Sequence, residues 1–263
     1  MSNSNPIGIF DSGVGGLSIW KEIVTLLPHE NTIYLADSKN APYGERSREE
    51  IIDLCIKNTE LLLKMGCKLI VVACNTATTN AISYLRSHYD VPFIGIEPAI
   101  KPAAFHTKTN VIGILATKGT LSSALFHETS KKFAQGITVL EQIGEGLVPL
   151  IESGQTTSKT MDKLLHQYLQ PMLDKNMDAL VLGCSHYPFL IPQIRKIVGP
   201  DVNIIDSGQA VARQTKAILE KFKLENTGTE YAAHQLYSNL NTLILLELTG
   251  NFKANFTVSL LDF

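Results

Sequence analysis

The chain predicts an α/β fold of two related domains with mostly parallel sheets, arranged with pseudo-twofold symmetry around an active site in the interdomain cleft. Three observations carry this. Short β-branched and apolar runs, each followed by turn residues and a helical pattern, recur along the 263 residues, as expected for parallel strands joined by crossover helices. A chain of this length can bury two cores. Three strand-to-loop junctions also repeat in order. Ile7-Gly-Ile-Phe-Asp11 resembles Ile112-Gly-Ile-Leu-Ala116, 105 residues on, and Val71-Val-Ala-Cys74 resembles Val181-Leu-Gly-Cys184, 110 residues on. Val91-Pro-Phe-Ile-Gly-Ile-Glu97 resembles Val202-Asn-Ile-Ile-Asp206 at a similar offset. Apolar strands look alike, so the strings alone would be weak evidence. The matched cysteines strengthen them.

The first strand, Pro6-Ile-Gly-Ile-Phe10, runs into the turn Asp11-Ser-Gly-Val-Gly-Gly16. After it, apolar residues at three- and four-residue spacing predict helices over 17–27, 48–65 and 77–86. Strands over 32–35, 69–73 and 93–96 alternate with them. The second half repeats the pattern, with strands over 111–115, 138–140, 179–182 and 202–205 and helices over 123–133, 158–173 and 209–222. With crossings at the echoed Glu97 and Asp206, residues 1–97 and 207–263 form the first domain and 98–206 the second, joined by a two-stranded hinge. For residues 251–263 two roles are open, an added strand or a surface for self-association, and a homodimer is left open with them.

Composition excludes several classes. Lys and Arg total 23 against 25 Asp and Glu, a net charge of −2, so no nucleic-acid partner is expected. No apolar run approaches the roughly 18–20 residues that span a bilayer, and the polar start Met1-Ser-Asn-Ser-Asn-Pro6 lacks basic and apolar leader regions. A cytoplasmic protein with no membrane partner is the expectation. The four cysteines, Cys55, Cys67, Cys74 and Cys184, show no two-residue pairing, which argues against disulfides and against a zinc or other metal site.

Two of these thiols stand where chemistry is done. Cys74 follows a buried strand and precedes a helix start, where free N–H groups and the macrodipole would stabilise a thiolate and lower its pKa. Cys184 repeats the arrangement, with His186 two residues on to hold a proton or set the charge of the thiol. The plainer reading is a buried core cysteine, which is accepted for Cys55 and Cys67. The glycine turn after Asp11 would let a backbone approach an anion, yet it is neither a Walker A string nor G-x-G-x-x-G. Capping by Asp11 or Ser12 is its plainer reading. A cysteine hydrolase needs one such thiol and a zinc site needs clustered ligands. Racemisation needs one proton carrier on each face of an α-carbon, and two mirrored cysteines supply that without a cofactor.

Five segments can then be compared with a known family. Asp11-Ser-Gly-Val-Gly-Gly16, Pro42-Tyr-Gly44, Ala73-Cys-Asn-Thr-Ala77, Val148-Pro-Leu-Ile-Glu152 and Gly183-Cys-Ser-His186 resemble the signature segments of bacterial glutamate racemases, in order, from about Ile7 to Gln209. The resemblance implies that Cys74 and Cys184 exchange the α-proton of L- and D-glutamate, with Asp11 assisting Cys74. His186 and Glu152 would assist Cys184. It also implies that Asp11, Ser12, Tyr43, Gly44, Asn75, Thr76, Ser185 and His186 hold the substrate. Glu152 has a plainer reading as a charge at a helix start. Ser185 departs from the family's more common threonine but keeps the hydroxyl. The resemblance further implies supply of D-glutamate for peptidoglycan in a bacterial cytoplasm. An aspartate racemase-like enzyme and a two-lobed small-molecule binding protein are the alternatives.

Overall fold

In the computed structural model, which describes residues 3–250 and 252–263, the strands assort into two sheets. Met1, Ser2 and Asn251, which belong to the polar start and the C-terminal segment considered above, lie outside the described residues. The first half supplies β1 (Ile7–Asp11), β2 (Thr32–Ala36), β3 (Leu69–Val72) and β4 (Phe93–Gly95), and the second β5 (Val111–Ala116), β6 (Thr138–Ile143), β7 (Ala179–Gly183) and β8 (Asn203–Ile205). The C-terminal segment adds β9 (His234–Ser238) and β10 (Phe256–Leu260). The sheet orders are β10-β9-β2-β1-β3-β4 and β6-β5-β7-β8. All the pairings are parallel. Without its two C-terminal strands the first sheet has the order of the second, so the repeat seen in the sequence is a repeat of topology. β1 is buried along its whole length, as central parallel strands covered on both faces are.

Helices α1 (Leu17–Leu26), α2 (Arg48–Lys64) and α3 (Asn75–His88) connect the first set of strands. Helix α4 (Ile100–His106) leads into the second set. There α5 (Lys118–Leu121), α6 (Ala124–Phe133), α7 (Leu147–Glu152), α8 (Lys159–Leu173) and α9 (Ile191–Val198) follow. Helix α10 (Gly208–Phe222) returns the chain to the first sheet, and α11 (Leu243–Thr249) lies between β9 and β10. Several helices start at side-chain caps: Ser47 forms a reciprocal box with Glu50, and Ser123 and Ser158 accept from Phe126 N and Met161 N. Such caps satisfy amide donors that the first turn leaves free.

One core is shared by both halves, running from Ile9, Trp20 and Val211 through Leu147 and Ile151 to Leu182 and Ile194. Phe10, Leu62, Val72 and Leu85 pack between the first sheet and α2 and α3, and Ile112, Phe126 and Val181 do the same for the second sheet. Cys55 and Cys67 belong to the α2–α3 core; burial pushes the Cys67 thiol up to about 12 and that of Cys55 higher still. The two crossing segments touch, for Ser207 Oγ donates to the Glu97 carbonyl at 2.6 Å. The C-terminal segment forms an added edge strand, with Phe256 opposite His234. Its alternating exposure leaves little apolar signal to read in sequence.

Candidate active site

Both mirrored cysteines sit just past the carboxyl ends of equivalent strands, β3 and β7, where parallel sheets place their ligand-binding loops. They line one small, nearly closed cavity. Ser12, Tyr43, Gly44, Asn75, Thr76, Ser185 and His186 complete its wall with Pro42, Thr117 and Val148. Asp11 and Glu152 lie behind that lining. The cavity shares Pro42, Gly44, Thr117 and Val148 with a larger, more open outer space.

Cys74 caps α3, its sulfur accepting from Ala77 N at 3.4 Å and lying 3.7 Å from Ser12 Oγ. The expected lowering of its pKa is corrected. Burial, and then the nearby Asp11 carboxylate, push the thiol well above its ordinary value, outweighing the contacts to Ala77 and Ser12. The helix terminus does supply its amide, but desolvation of the charged form is the larger effect. Asp11 is fully buried; it accepts from Gly13 N at 3.1 Å and from Ser185 Oγ at 2.9 Å. Burial raises its pKa, while His186 opposes that shift.

On the opposite side, Cys184 Sγ lies 3.8 Å from His186 Nδ1, and His186 Nε2 lies 2.5 Å from Glu152 Oε1. Burial works against a charge on His186, but the thiol, Glu152 and Asp11 outweigh it and hold its pKa well above the usual imidazole value. Glu152 is the last residue of α7, not a helix-start charge. A carboxylate is disfavoured at that negative end of the helix dipole. Hydrogen bonds hold it there: Oε1 accepts from Val14 N at 2.7 Å and Oε2 from Ser38 Oγ at 2.9 Å.

These contacts explain the glycine turn. A Cβ on Gly13 would collide with the Glu152 carboxylate, and one on Gly15 with the His186 ring. The anion approaching this turn is the protein's own Glu152. Gly16 stands at the N-cap of helix α1, which has no side-chain cap. Asp11 instead makes a local bond to Gly13, so neither Asp11 nor Ser12 caps it.

Asn75 is buried, and neither atom of its amide has a hydrogen-bond partner. A donor and an acceptor left open in a cavity wall are costly unless a ligand uses them. Tyr43 lines the cavity with its hydroxyl turned away, donating to Asp37 Oδ2 at 2.5 Å and accepting from Asn58 Nδ2. Thr76 Oγ1 meets Thr117 Oγ1 at 2.8 Å and lies 3.4 Å from Thr120 Oγ1, which joins the two halves across the cavity mouth. Thr117 was not among the expected residues. The internal echo could have found it, since Thr117 follows β5 as Ser12 follows β1.

The site groups two buried thiols with acid–base partners at the junction of two parallel sheets. The chain belongs to the Asp/Glu/hydantoin racemase family, whose model matches residues 7–215. A glutamate racemase of Herpetosiphon aurantiacus is 49% identical over 224 residues, 85% of this chain and 88% of that protein. Two solved structures are similar throughout. Escherichia coli glutamate racemase in complex with L-glutamate and the activator UDP-MurNAc-ala has a TM-score of 0.85 at 32% identity, covering 98% of each chain. Glutamate racemase of Francisella tularensis in complex with D-glutamate has a TM-score of 0.83 at 29% identity, covering 99% of this chain and 97% of that one.

Proposed function

We infer that this chain is a glutamate racemase that interconverts L- and D-glutamate by a two-base mechanism without a cofactor. The observation that carries this reading is the pairing of Cys74 and Cys184 on one cavity, each at the end of an equivalent strand and each with its own polar partners. One thiolate removes the α-proton while the opposite thiol delivers another, and the roles reverse with direction. Cys74 deprotonates D-glutamate and Cys184 deprotonates L-glutamate. Burial favours the neutral thiol at Cys74; as the substrate ammonium enters and offsets negative charge there, Asp11, whose own pKa burial raises, accepts the thiol proton and leaves the Cys74 thiolate. At the other side the protonated His186, held by Glu152, stabilises the Cys184 thiolate and returns its proton. Asn75 offers both amide atoms to the substrate. Hydroxyls of Ser12 and Thr76 and the backbone of Tyr43, Gly44 and Ser185 offer further donors to its carboxylates without a buried permanent cation, the Ser185 hydroxyl proton being given to Asp11.

Residues 1–97 with 207–263, and 98–206, are assigned as the two domains that open and close over the site, hinged at Glu97 and Asp206. No helix among the described residues is long and apolar enough to cross a membrane. The physiological role proposed is supply of D-glutamate for peptidoglycan in the cytoplasm. A polarimetric assay of purified protein with the enantiomers of glutamate and of aspartate tests the reading. Racemisation of glutamate in both directions, with aspartate turned over far more slowly, is expected. Preference for aspartate, or binding without turnover, contradicts it.

A further inference from the structure

Asp37, directly after β2, is fully buried yet has no part in the chemistry above. It gathers donors from three places. Oδ2 accepts from the Tyr43 hydroxyl at 2.5 Å, and Oδ1 accepts from Asn40 Nδ2 at 2.8 Å and from Asn239 Nδ2 at 2.5 Å. Lys57 Nζ stands 3.9 Å from Oδ1. Asn239 comes from the C-terminal segment, after β9, and is itself fixed: its backbone N–H donates to the Ala36 carbonyl at 3.3 Å, and its Oδ1 accepts from Lys39 N at 2.9 Å.

We propose that Asp37, braced by Asn239, is a positioning residue that sets the Tyr43–Gly44 wall of the substrate cavity. The inference rests on the racemase reading. A carboxylate is the side chain that can accept from three donors while presenting none of its own. Its charge also strengthens each bond. The Tyr43 hydroxyl gives its one proton to Asp37 and accepts from Asn58 Nδ2 at 3.1 Å, so the ring is held at its tip while Tyr43 and Gly44 line the cavity. Tolerance there is small. A Cβ on Gly44 would stand 2.9 Å from Thr117 Cβ, across the junction of the halves. The C-terminal strands, absent from the duplicated second sheet, thereby acquire a role, since they carry the asparagine that steadies the loop against the site.

The test is steady-state kinetics with both glutamate enantiomers on Asp37→Asn, Tyr43→Phe, their double variant and Asn239→Ala, with thermal unfolding alongside. Asp37→Asn turns an acceptor into a donor against at least one of its partners. Loss of one charge-assisted hydrogen bond corresponds to roughly a 10-fold rise in KM. That rise is expected for both enantiomers, with kcat within about 3-fold because the hydrogen bonds of Asp37 and Tyr43 run to neither thiol. Asp37 acts through Tyr43, so the double variant should be no worse than about 2-fold beyond Tyr43→Phe alone. Asn239→Ala should move KM the same way by less. An unchanged KM in Asp37→Asn, or effects that multiply fully in the double variant, overturns the proposal. A merely structural role would lower the melting temperature and the active fraction while leaving KM unchanged, which also overturns it. If Asp37→Asn does not fold, the KM values of Tyr43→Phe and Asn239→Ala decide, and both must rise. Wild-type protein that fails to turn over glutamate defeats the racemase reading instead.

Discussion

Replacing Gly15 by alanine should disable the site while leaving the fold intact. Its φ is not in the left-handed region, so alanine meets no backbone strain there. The added methyl would instead fall among the atoms of the His186 imidazole. That ring is fully buried and pinned through Nε2 to Glu152, so it must either shift or push the glycine turn outward. Overpacking of this kind costs about 1–3 kcal/mol, or a melting-temperature loss of roughly 2–10 °C for a chain of this size. Displacing a proton-transfer group by about 1 Å costs on the order of 100-fold in rate. The polarimetric assay should therefore show kcat/KM reduced about 100-fold in both directions. Gly66→Ala is the matched control: φ is +82° and nothing lies within 4 Å of a new Cβ. It should cost roughly 1–2 kcal/mol of stability through backbone strain with kcat/KM unchanged. If Gly15→Ala kept kcat/KM within about 3-fold of wild type, the claim that contact with the turn fixes His186 would be refuted.

The unpartnered amide of Asn75 predicts a trade of function against stability. Asn75→Ala should raise KM for glutamate by about 10-fold or more while the melting temperature of the free protein, read by calorimetry, does not fall; a large drop would show that the amide serves the fold. His234, buried with Nδ1 accepting from the Thr32 hydroxyl that itself accepts from Trp20, has its pKa lowered by burial to about 4. Between that value and about 6.5 the unfolded chain binds the extra proton, so its contribution is complete above about 6.5 and is lost as pH falls to about 4. That loss is on the order of 1–3 kcal/mol, and denaturant titrations should show the slope vanish in His234→Asn.

Much of the site was legible because the duplication repeats a chemical feature as well as hydrophobic strings. The offset between Cys74 and Cys184 put both thiols at equivalent strand ends, and the structure has both lining one cavity. What sequence could not supply were quantities that depend on packing. The helix terminus at Cys74 was visible, whereas the desolvation that outweighs it was not. The sequence put Glu152 beside Cys184 only through the family resemblance, with a helix-start charge as its plainer reading; in the structure it is the last residue of α7, Leu147–Glu152. Its position at the helix end makes sense only with Val14, Ser38 and His186 in place. Strand β9 was missed, and β10 was open only as one of two roles for residues 251–263, for a related reason. His234–Ser238 alternates buried and exposed residues with two polar ends, and Phe256–Leu260 lies at the edge, so neither carries the continuous apolar run of β1 or β7. Asp37 and Thr117 likewise had no local motif to mark them.

The central claim is that each thiol serves one face of the α-carbon, and single Cys→Ser variants test it most directly. Serine is a much poorer base than a thiolate at neutral pH, so both Cys74→Ser and Cys184→Ser should lose nearly all racemisation, on the order of 100- to 10,000-fold. With a glutamate analogue that expels a leaving group after deprotonation, one half-reaction should survive in each: elimination from the L analogue in Cys74→Ser and from the D analogue in Cys184→Ser. In deuterium oxide the wild type should place solvent deuterium at the product α-carbon. Opposite enantiomer preferences in the two variants are the predicted result. Substantial racemase activity in either variant would contradict the two-base account, and the same preference in both would contradict the assignment of the faces.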